Sequence, residues 1–139
     1  MIQRIQTIWL FLSALCAAFT YKFPFYTGNK IPISVTGEQQ KLVASSNFLL
    51  LILTALLIIG TFIIIFLYKN RKQQLWLTIL ALVISIVNII IYFTELKKFV
   101  SGTISLTAIL AFIIPIFLLL AANGIWKDEK LVKSLDRLR

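Results

Sequence analysis

Histidine is absent from this 139-residue chain, and cysteine occurs once, as Cys16. The His and Cys clusters that hold zinc, haem or iron–sulfur centres are therefore excluded. A lone thiol forms neither an intrachain disulfide nor a CxxC redox pair. Acidic residues number five against 14 Lys and Arg, giving a net charge of +9. Charge is missing altogether from four long runs. Ile5–Tyr21 has 17 residues without it, Leu42–Tyr68 has 27, Gln73–Thr94 has 22 and Phe99–Trp126 has 28.

What remains is apolar. Hydrophobic residues make up 60% of the chain, against roughly 45–50% in soluble domains. A chain this short has no interior in which to bury four helices that are apolar all round. A helix needs about 20 such residues to cross ~30 Å of hydrocarbon. The expectation is an all-α membrane protein with one domain over residues 1–139. Its form is a four-transmembrane-helix up-down bundle, with helices at about 3–22, 37–69, 73–94 and 103–126. An outer loop takes 23–36, and a cytoplasmic tail takes 127–139. The basic residues sit at the ends of the apolar runs, where they set topology and meet anionic lipid headgroups. No nucleic-acid partner is expected.

Arg4, the first run and then Ala14, Ala17 and Ala18 give a partial signal-peptide outline. Phe19–Thr20–Tyr21 carries the apolar run past any cleavage point, so a retained helix is expected. Leu15 before Cys16 argues against a lipoprotein. The N-terminus, second loop and tail carry nine basic residues, and the first and third loops carry five. The positive-inside rule puts both termini in the cytoplasm of a bacterial inner membrane. Trp9, Trp76 and Trp126 fall at the cytoplasmic edge, and Tyr21, Tyr26 and Tyr92 at the outer one, as aromatic belts do.

In the first outer loop, Thr27–Gly28–Asn29 reads as a turn between Phe23–Tyr26 and the alternating Ile31–Val35, a short β-hairpin. Pro24 and Pro32 make it ragged. Thr36 with Gln39 fits a capping box that starts the second helix. The third loop, Glu95–Thr103, reads as a short link. Glu95 beside Lys97 and Lys98 reads as a solvated interface charge.

Polar residues at membrane depth are Ser13, Thr54, Thr61, Thr78, Ser85, Asn88 and Thr107, with Asn123 near the inner end. Ser85 and Asn88 share a helix face. An unpaired amide in lipid is costly, so Asn88 should face a neighbouring helix. Gly60 with Thr61 suggests close backbone approach, and Pro115 a kink. No ionisable residue sits mid-membrane, where pumps and ion pathways usually have one. Small multidrug exporters rely on a carboxylate in the first helix, which this chain lacks.

Residues 127–139, KDEKLVKSLDRLR, place Leu131, Val132, Leu135 and Leu138 on one apolar stripe. Asp128 and Glu129 would complement the dipole of a new helix, and Asn123–Gly124 would bend the chain before it. Such a helix either lies on the inner headgroups or docks on a cytoplasmic partner.

The opening MIQRIQT and the closing KDEKLVKSLDRLR resemble an uncharacterised family of small four-helix inner-membrane proteins of Bacteroidota. The resemblance covers essentially the whole chain. It implies the four-helix layout and no activity, so no catalytic, cofactor-binding or metal-binding residue is assigned and no cofactor is expected. The functional expectation is a non-enzymatic accessory or scaffold subunit of a membrane assembly. Its partners would be membrane lipid and a protein met by the cytoplasmic tail. The alternative is a protein that binds or carries lipid or a small apolar molecule. An enzyme or ion-coupled transporter stands third.

Overall fold

The computed structural model describes residues 2–30 and 40–136. Four helices dominate: α1 (Ile2–Phe19), α2 (Phe48–Phe66), α3 (Arg71–Leu96) and α4 (Ile109–Asp136). Three stretches, Phe48–Phe66, Arg71–Leu96 and Leu106–Ser134, are helical, long and apolar enough to cross a membrane. The apolar part of α1, Ile5–Phe19, is shorter. α1 packs on α2 and α4, and α3 packs on the same two, so the helices close a ring.

The buried positions explain the ring. On α3 they are Gln74, Thr78, Ala81, Ser85, Asn88, Tyr92 and Glu95, alternately four and three apart. On α2 they are Leu50, Thr54, Leu57, Thr61 and Ile64, with the same spacing. Gln6, Leu10, Ser13 and Ala17 repeat it on α1, with Thr20 just past its end, and Ile114, Leu118, Ala121, Ile125 and Asp128 on α4. A 3.5-residue repeat keeps one narrow seam of each helix facing its neighbours. Small Ala, Ser and Thr residues on the seams let the helices approach closely, as at membrane helix interfaces. Large apolar side chains point the other way. Ile8, Phe11, Leu56, Ile59, Leu80, Val83, Ile90, Ile116 and Leu119 are all exposed. Water would penalise that arrangement, and hydrocarbon would not.

The connections at one end form a small antiparallel sheet in the order β2-β1-β3, from β1 (Tyr26–Lys30), β2 (Gln40–Leu42) and β3 (Phe99–Ile104). Several expectations change here. Thr27–Gly28–Asn29 is a strand segment and not a turn; Gly28 sits opposite both Gln40 and Gly102. A Cβ on Gly28 would collide with the Ser101 carbonyl oxygen and lie 2.8 Å from Gly102 Cα. Glycine therefore serves close backbone approach at this position. The second hairpin arm and the Thr36–Gln39 capping box fall outside the described residues. α2 starts at Phe48, later than expected, because residues 40–42 pair with β1. Asn47 is its cap, accepting from the Leu49 N–H at 3.1 Å. The Glu95–Thr103 link is largely β3, and α4 follows a 3-10 turn at Leu106–Ala108.

At the other end α4 runs through Pro115, Asn123 and Gly124 to Asp136 as one helix. The tail is thus a continuation of α4 and not a separate helix. Asp128 stands far inside it and cannot serve a first-turn dipole. Gly124 does not interrupt the helix. A Cβ there would lie 2.7 Å from Gln6 Cγ, so glycine makes room for α1.

Candidate functional site: a paired carboxylate at each end of the ring

Two buried carboxylates lie at opposite ends of the helices, and each is held by an amide. Gln6 Nε2 on α1 donates to Asp128 Oδ2 on α4 at 2.7 Å. Asn47 Nδ2, at the start of α2, donates to Glu95 Oε1 on α3 at 2.7 Å. Glu95 also meets Lys98 Nζ at 2.6 Å. Glu95 is 7% exposed and Asp128 6%. The reading of Glu95 as a solvated interface charge is therefore corrected: it is a buried seam residue of α3, bonded to the Asn47 cap. Gln74 stands at the Asp128 end, 21 residues before Glu95 on α3. At the helical rise this is about 31 Å, close to the thickness of a hydrocarbon core.

Around Asp128 the seam side chains form a polar cluster. Arg71 Nη1 donates to the Asp128 carbonyl oxygen at 3.4 Å, and Gln74 Nε2 to the Ile64 carbonyl at 3.2 Å. Gln6, Thr7, Tyr68, Arg71, Gln74, Ile125 and Asp128 line a cavity of about 20 Å³. That is room for one water molecule. Just beyond it, Lys69, Asn70, Arg71, Lys72 and Gln73 face Glu129, Val132 and Lys133 of α4 across an open groove of about 620 Å³.

The Glu95 end is closed. Phe25 stacks on Tyr92 with ring centroids 4.5 Å apart, and Phe93 and Phe112 pack edge-on or tilted against it. The Phe25 N–H donates to the Leu42 carbonyl, and its own carbonyl accepts from Ser105. The Thr107 hydroxyl donates to the Pro24 carbonyl. Tyr92 is 1% exposed. It is a core residue under the sheet and no part of an aromatic belt, because its seam position turns it inward.

Midway between the ends, Asn88 Nδ2 donates to Thr54 Oγ1 at 3.1 Å. Asn88 faces a neighbouring helix, as expected. Its Oδ1 has no partner among the described residues. Ser13, Thr54, Thr61, Thr78 and Ser85 donate to carbonyls three or four residues back on their own helices. These hydroxyls need no interhelical partner. Asn123 is exposed. Cys16 is buried in the apolar cluster with Leu57, Ile114 and Leu118. Trp76 and Trp126 are exposed at the Asp128 end, whereas Trp9 is half-buried against Phe117 at 5.5 Å. Among the described residues, no three His, Cys, Asp or Glu side chains come together.

The model of a family described as a domain of unknown function, DUF4293, matches residues 2–138. The chain belongs to this family. No curated protein and no solved structure matches it. DUF4293 membership accounts for nearly the whole chain, the extent over which the two ends resembled a known family, and it assigns no activity.

Reading residues alone missed Gln6, Asn47 and Gln74 as partners, and Asp128 as a buried group. One signal was present: Gln74, Thr78, Ser85, Asn88 and Glu95 keep the four-three spacing along α3.

Proposed function

We propose that the chain is a non-enzymatic accessory or scaffold subunit of a bacterial inner-membrane assembly. It crosses the membrane four times as a four-helix bundle, with both termini cytoplasmic. The observation that carries the structural role is the pairing of interior polar groups. Gln6–Asp128, Asn47–Glu95 and Asn88–Thr54 join one helix to another, and the seam hydroxyls bond back to their own helices. These groups are engaged in holding the helices together.

The exposed stripe Ile5, Ile8, Phe11, Leu15 and Phe19 supports α1 as the fourth span. It gives α1 the same apolar outer surface as the three longer helices. Basic residues at the Asp128 end support a cytoplasmic placement of that end. In the proposed arrangement the last turns of α4 are the protein contact, since Leu131 and Val132 are exposed beyond Asp128.

Isolation of the tagged protein from native membranes in mild detergent tests this reading. A stoichiometric partner is expected, and it should be lost in Leu131→Glu with Leu135→Glu while the membrane domain stays folded. A wild-type protein that isolates alone, under conditions that preserve other membrane complexes, would sink the scaffold role. Lipid binding is the second reading, favoured by a shallow apolar groove of about 90 Å³ between α2 and α3 around Gly60.

A further inference from the structure

Gly60 was expected to bring two helices together, yet a Cβ there would meet nothing within 4 Å. The space it leaves is the floor of a groove lined by Leu56, Ile63, Leu77, Leu80 and Ile84. The groove faces outward and belongs to the α2–α3 hairpin. The same hairpin turns at Lys69–Asn70, where the basic groove begins. Gln73 lies four residues before Leu77 on α3, so the two grooves share that helix face. Ile63 lies within two turns of Lys69. A positively charged groove, walled by the hairpin turn and by α4, thus lies beyond the apolar groove at the turn end of the same hairpin.

The cations at the turn are available. Lys69 and Lys72 form no ion pair among the described residues. Arg71 gives one N–H to a backbone carbonyl, which leaves most of its five donors. Glu129, the acid on the groove wall, is paired with Lys133 at 2.7 Å. Asn70 does not cap α3; its side chain bonds to Gln73 instead. The first N–H groups of a 26-residue helix therefore add positive potential at the same place.

We infer that the α2–α3 hairpin binds one anionic phospholipid. Lys69, Arg71 and Lys72 hold its phosphate, and an acyl chain lies in the groove over Gly60. Charge complementarity chooses the headgroup. The order of the grooves along the hairpin chooses a lipid over a soluble anion, because one molecule fills both only if it is amphiphilic. The inference deepens the second reading above. It rests on membrane placement of the helices and not on the docking role of α4.

Native mass spectrometry of the full-length protein, exposed to equal phosphatidylglycerol and phosphatidylcholine, tests it. One phosphatidylglycerol should be retained in preference. A basic residue near an anionic headgroup is worth about fivefold in affinity, so Lys69→Gln with Lys72→Gln should weaken retention roughly 30-fold. Lys22→Gln with Lys97→Gln removes the same charge at the far end and should change nothing. Gly60→Leu fills the apolar groove and should weaken retention with both lysines intact. Equal retention of the two lipids overturns the inference. So does an equal loss in both lysine pairs, or inorganic phosphate competing as well as the lipid does. Failure of the membrane placement itself is separately visible, as release of the wild-type protein from membranes by alkaline carbonate.

Discussion

At one end of the ring the buried carboxylate is Asp128, and everything that holds it comes from helices. At the other it is Glu95, held by the Asn47 cap and Lys98, at the end that carries the three-stranded sheet. The amide hydrogen bonds to the two carboxylates are equally short, at 2.7 Å. Their surroundings differ in kind. The Glu95 end is stitched by backbone pairing between segments far apart in the chain and filled with Phe25, Leu42 and Tyr92. The Asp128 end has no sheet among the described residues and opens into a basic groove. Closure of one end and openness of the other follow from where the long connections fall. The α2–α3 turn at the open end has too few residues to form a cover. The physical lesson is that the covered end carries shape, and the open end carries charge.

The largest expected effect tests the covered end. Gly28 and Gly102 face each other across β1 and β3, and a Cβ on either would strike the opposite backbone. Backbone cannot swing aside as a side chain does. Gly102→Val should cost about 3 kcal/mol, the upper part of the overpacking range. Unfolding in mixed micelles measures it. An unchanged transition would mean that the sheet adds nothing to stability. The next effect belongs to the open end. Gln6→Leu leaves the Asp128 carboxylate buried without its amide and should cost about 2 kcal/mol, the value of a hydrogen bond to a charged group. Asn47→Ser at the covered end keeps a capping oxygen for α2, removes the amide donor, and should cost less, because Lys98 still neutralises Glu95. If the two substitutions cost the same, the two ends do not differ in how their carboxylates are supported.

Two glycines on the helices sharpen the contrast further, since one substitution should have opposite signs at them. An exposed helix interior gains about 0.8 kcal/mol when Gly becomes Ala. Gly60→Ala should realise that gain, because its Cβ enters open space. Gly124→Ala must displace Gln6 and break its bond to Asp128, so a net loss of about 1 kcal/mol is expected. Thermal unfolding of the two variants side by side decides the point. Destabilisation at both, in protein stripped of lipid, would show that a Cβ at Gly60 meets protein atoms after all.

Much of the helical layer is legible from residues alone, because the uncharged runs largely coincide with the four helices. The inward placement of Asn88 follows from the cost of an unpaired amide in lipid. The sheet is legible only as β structure in the first outer loop: its strands are three to six residues long, and β3 lies where the residues read as a short link, Glu95–Thr103. Its register depends on Gly28 meeting Gly102, a contact across the whole of α2 and α3. The Gln6–Asp128 pair joins residues 122 apart. Its two members look like ordinary polar residues at the ends of apolar runs. Continuity of α4 was obscured by Asn123–Gly124, which break helices in isolation. Here Gly124 is kept for the room it gives Gln6.

The smallest expected effect lies between the ends. Asn88→Leu removes a 3.1 Å bond to Thr54. Interhelical polar contacts in membranes average about 0.6 kcal/mol. The same substitution also removes a buried acceptor, Asn88 Oδ1, that has no partner among the described residues. Relief of that cost opposes the lost bond. Thr54 still donates to the Leu50 carbonyl, so the substitution strands no donor there. The net change should fall below 0.6 kcal/mol, smaller than at either carboxylate. A double-mutant cycle with Thr54→Val isolates the pair from the general effect of adding a leucine. A coupling near 2 kcal/mol would put Asn88 level with Gln6 and move the centre of polar stabilisation from the ends of the ring to its middle.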